Sequence, residues 1–511
     1  MAIDIGNKRE LFFDDYIVDK EKTTAAVELC RLQKKEKVFT YDAHWEQLDT
    51  VYQNIVKTPE GKYRMYYKSH YNGPKPDGAF ALIRRICVIE SDDGIHWTRP
   101  VLGITPIEDH PDTNIISGFY DYYDNMFVYY DENPDCPPED KYKAIYGGWG
   151  EALFGYKSAD GIHFRFYPDR EKIERGEMAP PKYGVKLNYP PVGDRDRPST
   201  VLVSTMESGC YFDSLNTMFY DKVNKKYVLF VRGFHIGDDL FPDDPDDPRA
   251  VRDIRRMESE DMIHFTHPEL IEFIDDPGYD YQLYANAITP YYRAPHILIG
   301  TPTRYIARDW CTGFEELTNA EDRRDRGRGT SLNDAIFMAS HDGGKTWKRY
   351  SEAILTSGPE QKYNWMYGDC YPCVGMIETP SVTPGTDPEL SLYCKEHDKD
   401  GVTVLYRYTL RVDGFAARVG DFAGKTLVTK PFVYDGKELE INFASSAVGY
   451  MKIKLINTES GEEMYTTEIF GDSIARRVIF EEGKTPEAFA GKPVVMEVEM
   501  HDAKIYSFIF R

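Results

Sequence analysis

One short element recurs four times and constrains the fold more than any other feature. Ser91–Thr98 reads SDDGIHWT, Ser158–Arg165 reads SADGIHFR, Ser259–Thr266 reads SEDMIHFT, and the stretch from Ser340 reads SHDGGKTW. Each has a Ser, any residue, an Asp, and a Trp or Phe shortly after. An Asp here accepts hydrogen bonds from backbone N–H groups one to three residues on, and Gly supplies a positive φ. The aromatic plugs the turn against the next layer. Four copies at uneven spacing indicate repeated units with insertions between them.

A second pattern precedes each turn. Val51–Tyr67 (VYQNIVKTPEGKYRMYY), Tyr123–Tyr130 (YDNMFVYY, with KYKAIYGGW following a Pro-rich insertion), Asp213–Val231 (DSLNTMFYDKVNKKYVLFV) and Leu283–Gly300 (LYANAITPYYRAPHILIG) each give an Asn, an apolar strand, a turn and a second strand. A third strand, the S-x-D turn and a short fourth strand follow. Four antiparallel strands per unit is the pattern of a propeller blade. A fifth unit starts at Trp365 (WMYGDCYPCVGMI) without an S-x-D turn, and the N-terminal LFFDDYIV is expected to supply a closing strand. After about Asp413 the turns stop and residues 425–511 alternate apolar and polar, as in a β-sandwich. The expected fold is all-β: a five-bladed β-propeller over residues 1–420, then a β-sandwich over 425–511. The length of 511 residues, too large for one core, fits that division.

Tyr (38 residues) outnumbers Phe (27), which suits β structure and sugar-binding surfaces. The net charge of −23 and the lack of a basic stripe argue against a nucleic-acid partner. No apolar run is long enough to span a membrane, and no leader segment stands at the N-terminus. A cytoplasmic protein is expected, or a secreted one if a signal peptide has been removed. The eight cysteines form no disulfide framework, and Cys370 and Cys373 read as buried thiols. No cofactor is expected. The acidic loop 239–250 is the one candidate for a structural cation. Oligomeric state is not legible.

The architecture resembles the invertase-like and arabinanase-like clan of glycoside hydrolases. The residues that carry the resemblance are Asp213–Asp221 (DSLNTMFYD) running into KKYVLFV, and the tail from GKTLVTKPF to HDAKIYSFIF. SHDGGKTW is also close to the structural Asp-box of sialidases. The invertase signature N-D-P-N-G is absent, as are a clear R-D-P and an E-C, so the resemblance speaks to fold more than to chemistry. It implies a carbohydrate substrate bound where the inner strands converge, and it gives Asp213 the role of stabilising the transition state or tuning the acid.

Glycoside hydrolysis needs two carboxyl groups, one of them an acid of raised pKa. Asp49, at the mouth of the first blade, is a candidate base or nucleophile, and Asp124 adjoins Asn125 in the second. Glu378 and Glu207 are rival acids, with Asp369 ranked below them. Asn54, Asn125, Asn216 and Asn286 occupy matching positions, where they either bond sugar hydroxyls or stitch adjacent blades. Trp365 and Trp45 are candidates to stack on a sugar ring. Arg232, His235 and Arg304 follow second strands and are placed to meet a carboxylate or phosphate. Three functions follow: a glycoside hydrolase on the terminal sugars of a glycan, a phosphorylase on the same fold, and a non-catalytic carbohydrate-binding propeller. The last gains if the axial carboxylates are paired with arginines.

Overall fold

The computed structural model describes residues 2–74, 80–107, 109–116, 125–147, 152–167, 172–173, 175–182, 201–242, 247–274, 282–317, 330–362, 364–397 and 402–511. The protein is nearly all β. Five sheets follow one another along the chain, and a ten-stranded sheet gathers both termini.

Sheet 1 is a meander of Leu48–Lys57, Tyr63–Pro74 and Phe80–Ser91. Sheet 2 runs Asn125–Tyr130, Tyr142–Gly147, Ala152–Ser158 and Arg165–Tyr167; sheet 3 runs Thr217–Asp221, Lys226–His235, Val251–Ser259 and Glu269–Leu270. Sheet 4 is built on Ile288–Tyr291, Ala294–Gly300, Ser331–Ser340 and Thr346–Leu355, and is extended by Gln282–Ala285 paired with Thr303–Ala307. Sheet 5 is Ile377–Thr379, Glu389–Glu396, Thr403–Arg411 and, from the other end of the chain, Gln33–Tyr41.

The closing strand is thus Gln33–Tyr41 and not LFFDDYIV. The latter segment is drawn into two cores. Phe12 is buried with Phe432, Phe508 and Phe510 of the terminal sheet, while Leu11 and Phe13 pack with Phe337, Tyr350 and Leu390 of sheets 4 and 5. Ile3–Gly6, Glu10–Leu11 and Ala26–Leu29 all join the terminal sheet, so the hydrogen bonding does not follow a cut at residues 420–425. That sheet is organised by two long strands, Leu439–Asn457 and Val494–Phe510, whose burial alternates along much of their length as the apolar–polar pattern requires.

The five sheets have a propeller-like arrangement, each touching the next and the fifth touching the first. The asparagines make several of these joints. Asn54 Nδ2 donates to the Val128 carbonyl (2.5 Å) and its Oδ1 accepts from Val128 N (3.2 Å). Asn125 donates to the Phe212 carbonyl, and Asn216 donates to Asn125 Oδ1 (3.1 Å). Asn286 donates to the carbonyls of Leu215 (3.1 Å) and Phe230 (3.2 Å), and accepts from Thr217 Oγ1 (2.9 Å). All four are buried. Sheets 5 and 1 join through main chain, Ile55 N to Val374 O and Val374 N to Gln53 O, each 2.9 Å.

The four S-x-D turns each follow the last residue of a third strand. Asp93, Asp160 and Asp261 accept from the backbone N–H groups two and three residues on, and Asp342 from those three and four on. Each turn is also a docking point for the preceding sheet. Tyr393 donates to Gly94 O (2.5 Å), Tyr66 to Gly161 O (2.9 Å), Tyr167 to Asp261 O (3.0 Å) and Arg256 to Gly343 O (2.7 Å). Local turn chemistry therefore sets both the hairpin and the seam.

Burial alone would raise the Asp261 carboxyl. The N–H groups of His264 and Ile263, with the His264 ring and Ser259, outweigh it and lower the pKa to about 2. A carboxyl depressed in the folded state contributes stability that is present above its unfolded pKa and lost as pH falls toward its folded one. Asp261→Asn is expected to flatten the fall in unfolding free energy between about pH 4 and pH 2. Urea titrations across that window check it; an unchanged slope would mean that the turn carries no such linkage.

Candidate functional site at the mouth of the axis

Inner strands that converge bring their opening ends to one place. Tyr52 precedes Asn54 in sheet 1, Asp213 precedes the first strand of sheet 3, Tyr284 precedes Asn286, and Tyr367 and Tyr371 precede Val374, the partner of Asn54. Here Arg232 Nη1 meets Asp213 Oδ1 at 2.6 Å, with the two side chains 2% and 8% exposed. The same guanidinium donates to the Tyr284 carbonyl and lies 4.1 Å from the centroid of the Tyr284 ring.

Tyrosines enclose the pair. The hydroxyls of Tyr284 and Tyr367 are 2.8 Å apart, and the Tyr284 ring lies 5.8 Å from Tyr305, 6.0 Å from Tyr367 and 5.9 Å from Tyr371. Tyr52 meets Tyr371 edge-on at 6.4 Å, and Lys68 Nζ stands 5.2 Å from the Tyr52 ring. Arg252 covers both Tyr284 (5.3 Å) and Tyr305 (5.2 Å) and donates to Gln282 Oε1 at 2.6 Å.

The electrostatics follow from burial. Burial by itself would lower the Arg232 pKa; the Asp213 charge and the surrounding phenols outweigh it and raise it. Burial raises the phenols of Tyr52 and Tyr371 well above the ordinary tyrosine range, helped by their neighbours. Among the described residues the site thus offers the Asp213 carboxylate, the Arg232 and Arg252 guanidinium groups and tyrosine hydroxyls. That inventory suits a polyhydroxylated ligand whose charge changes during reaction.

The backbone is distorted at the same end. Tyr52, Ala287, Trp365 and Cys370 have φ of 61°, 47°, 56° and 52°, and the sheet 1 register slips on either side of Val51. Left-handed conformations cost about 1–3 kcal/mol each for such residues and persist where the surroundings over-determine them, often at functional sites.

Most other described candidates have partners of their own. Glu378 accepts from the Tyr292 hydroxyl at the opposite end of the inner strands. That end holds a separate cavity of ≈ 320 Å³ lined by Ile55–Lys57, Phe127–Tyr130, Phe219, Tyr220, Thr289–Tyr292 and Val374–Met376. Tyr371 precedes Val374 and Glu378 follows it within Ile377–Thr379, so the two lie toward opposite ends of the fifth inner segment. The four asparagines are committed to main chain in the seams, which supports the stitching role over contact with sugar. Arg304 is held by Asp334 in a two-pronged pair (2.8 and 2.5 Å), and His235 Nδ1 lies 3.1 Å from Asp253 Oδ2. Trp365 Nε1 donates to Gly358 O (2.8 Å), and Trp45 is buried with its Nε1 on Asn114 Oδ1 (2.8 Å). Asp369 binds Ser357 and the Met366 N–H, and burial pushes its carboxyl up to about 7. Asp124 lies outside the described residues, as do the side chains of Asp49 and Glu207. In the loop 239–250, Asp247 pairs with Arg249 at 2.7 Å and residues 243–246 lie outside the description. No group of three or more metal-ligating side chains occurs among the described residues.

Sequence reasoning missed the tyrosines and Arg252. A signal was present, since Tyr-x-Asn occurs at Tyr52, Tyr123 and Tyr284, each ahead of a seam asparagine. Only the fold shows that Tyr52 and Tyr284 both meet Tyr371.

Removing one member of a buried pair leaves an uncompensated charge, at a cost of about 3–5 kcal/mol. Asp213→Ala and Arg232→Met are each expected to destabilise the protein on that scale, and the double variant by less than the sum of the two. A double-mutant cycle by denaturant unfolding measures this; strict additivity would mean the two groups do not interact.

No family profile and no curated protein matches the chain. It is similar in structure to an N-acetylgalactosamine deacetylase from F. plautii in complex with blood group B trisaccharide, at 14% identity and a TM-score of 0.41, covering 74% of this chain and 96% of that one. It is similar to a β-1,2-mannobiose phosphorylase from Listeria innocua, at 11% identity and a TM-score of 0.40, covering 75% and 98%. It is also similar to a fructofuranosidase from Schwanniomyces occidentalis complexed with fructose, at 10% identity and a TM-score of 0.35, covering 96% and 99%. Likeness at this level assigns neither a reaction nor a ligand to this chain.

Proposed function

We propose that the protein is a glycoside hydrolase acting on the terminal sugars of a glycan, built as a five-bladed propeller with an appended β-sandwich. The observation that carries this reading is the Asp213–Arg232 pair, sunk among tyrosine hydroxyls where four sheets meet. An oxocarbenium-like transition state develops positive charge, and a carboxylate fixed in a water-poor site stabilises it without reorganising. Paired with Arg232 at 2.6 Å, Asp213 acts through its charge. The proton-transfer roles are assigned to Asp49 and Asp124, which precede Asn54 and Asn125 in the sequence. The tyrosine hydroxyls bind and orient the sugar.

A second reading also has an observation behind it. A carboxylate neutralised by arginine is what a non-catalytic sugar-binding propeller would show. Turnover separates the two. Incubation with a panel of plant and microbial glycans is expected to release free sugar, and Asp213→Asn to lower the rate on the order of 10²–10³-fold. Release only in the presence of orthophosphate, as a sugar phosphate, would establish phosphorolysis. Binding without turnover by the folded wild-type protein would establish the non-catalytic reading.

A further inference from the structure

We propose that the site takes a ligand bearing an oxyanion, the carboxylate of an acidic sugar or a phosphate, and that Arg252 receives it. The inference rests on the reading of this cluster as a carbohydrate site. Two guanidinium groups, Arg232 and Arg252, lie against the one ring of Tyr284, at 4.1 and 5.3 Å. Among the described residues a single carboxylate, Asp213, is paired with them, and it is bonded to Arg232. Among the described residues Arg252 has no ion-pair partner. Its Nη1 is used by Gln282 Oε1, a neutral acceptor, and its Nε is buried with no hydrogen-bond partner.

Burial, followed by the charge of Arg232, lowers the Arg252 pKa. A half-buried cation next to another cation, with a donor unused, is a costly arrangement unless a third partner arrives. The guanidinium is also preorganised, held between the rings of Phe234, Tyr284 and Tyr305 at 5.2–5.4 Å, so little freedom is lost when it binds. Planar guanidinium donors match a carboxylate or phosphate better than they match a neutral hydroxyl. The net charge of −23 repels anions at long range, so recognition must come from such a local cation.

The test is calorimetric titration of the full chain with galacturonate, glucuronate, galactose and inorganic phosphate, separately. It is repeated on Arg252→Met and Arg252→Lys, with the unliganded unfolding midpoint of each variant confirming a folded protein. A uronate is expected to bind more tightly than galactose, and Arg252→Met to weaken it on the order of 10–100-fold, a larger factor than the loss for galactose. Arg252→Lys, which keeps charge and loses the fork, is expected to fall between. Saturable binding of phosphate alone, lost in Arg252→Met, would support the oxyanion site and name phosphate as its source. Equal binding of galactose and the uronates, or uronate affinity unchanged in Arg252→Met, would overturn the inference and leave the carbohydrate reading standing if Asp213-dependent turnover is found. Absence of binding by every probe would also overturn it.

Discussion

A carboxylate and a guanidinium, both out of water, tie the mouth of the axis together. Taking two ions from water costs several kcal/mol each, and the cost is offset only by good geometry and further hydrogen bonds. Arg232 has both: Asp213 at 2.6 Å, the Tyr284 carbonyl, and the Tyr284 ring beneath it. Its own N–H donates to Asn216 Oδ1 at 3.2 Å, which joins the pair to the seam between sheets 2 and 3. One residue thus links the core of sheet 3, the extension of sheet 4 and the inter-sheet stitching. A hydrophobic pair would hold these elements as well. What the ionic pair adds is a carboxylate at the opening of an inner strand, set among tyrosines.

The seams keep that charge in place. Asparagine amides near the axis and S-x-D carbonyls farther out fasten neighbouring sheets at two radii. A second buried ionic group does the same work at the far side. Asp413, wholly buried, accepts from Tyr291 (2.7 Å) and Ser507 (2.6 Å) and pairs with Arg9 (3.3 Å), so the first residues, sheet 4 and the terminal sheet meet on one carboxylate. Rigid fastening of this kind lets Tyr52 and Cys370 sit at positive φ at the mouth, because the surroundings supply what the local backbone gives up.

What was legible in the sequence was local. The Ser–Asp spacing with its Gly and aromatic writes a turn within eight residues, and each such turn falls where the pattern placed it, after a third strand. The alternation in residues 439–457 and 494–510 shows which face is buried. What was not legible depends on partners far away in the chain. LFFDDYIV and QKKEKVFTY are both strand-like, and only the packing of Phe12 against Phe432 and Phe508 decides which one closes sheet 5. The asparagines carried two meanings until their neighbours were known. Glu378 read as a rival acid because a motif has no direction, whereas a strand has two ends. Arg252 gave no sign, since its meaning lies in having no ion-pair partner among the described residues.

The central claim is that ligand binds at the Asp213–Arg232–tyrosine cluster and not at the opposite end of the inner strands. A crystal structure of Asp213→Asn soaked with the glycan that the wild-type protein processes tests it most directly. The account predicts sugar density within hydrogen-bond reach of Tyr284 or Tyr367 and of residue 213. Density confined to the cavity lined by Tyr130, Tyr220 and Tyr292, or to the terminal sheet, would contradict it.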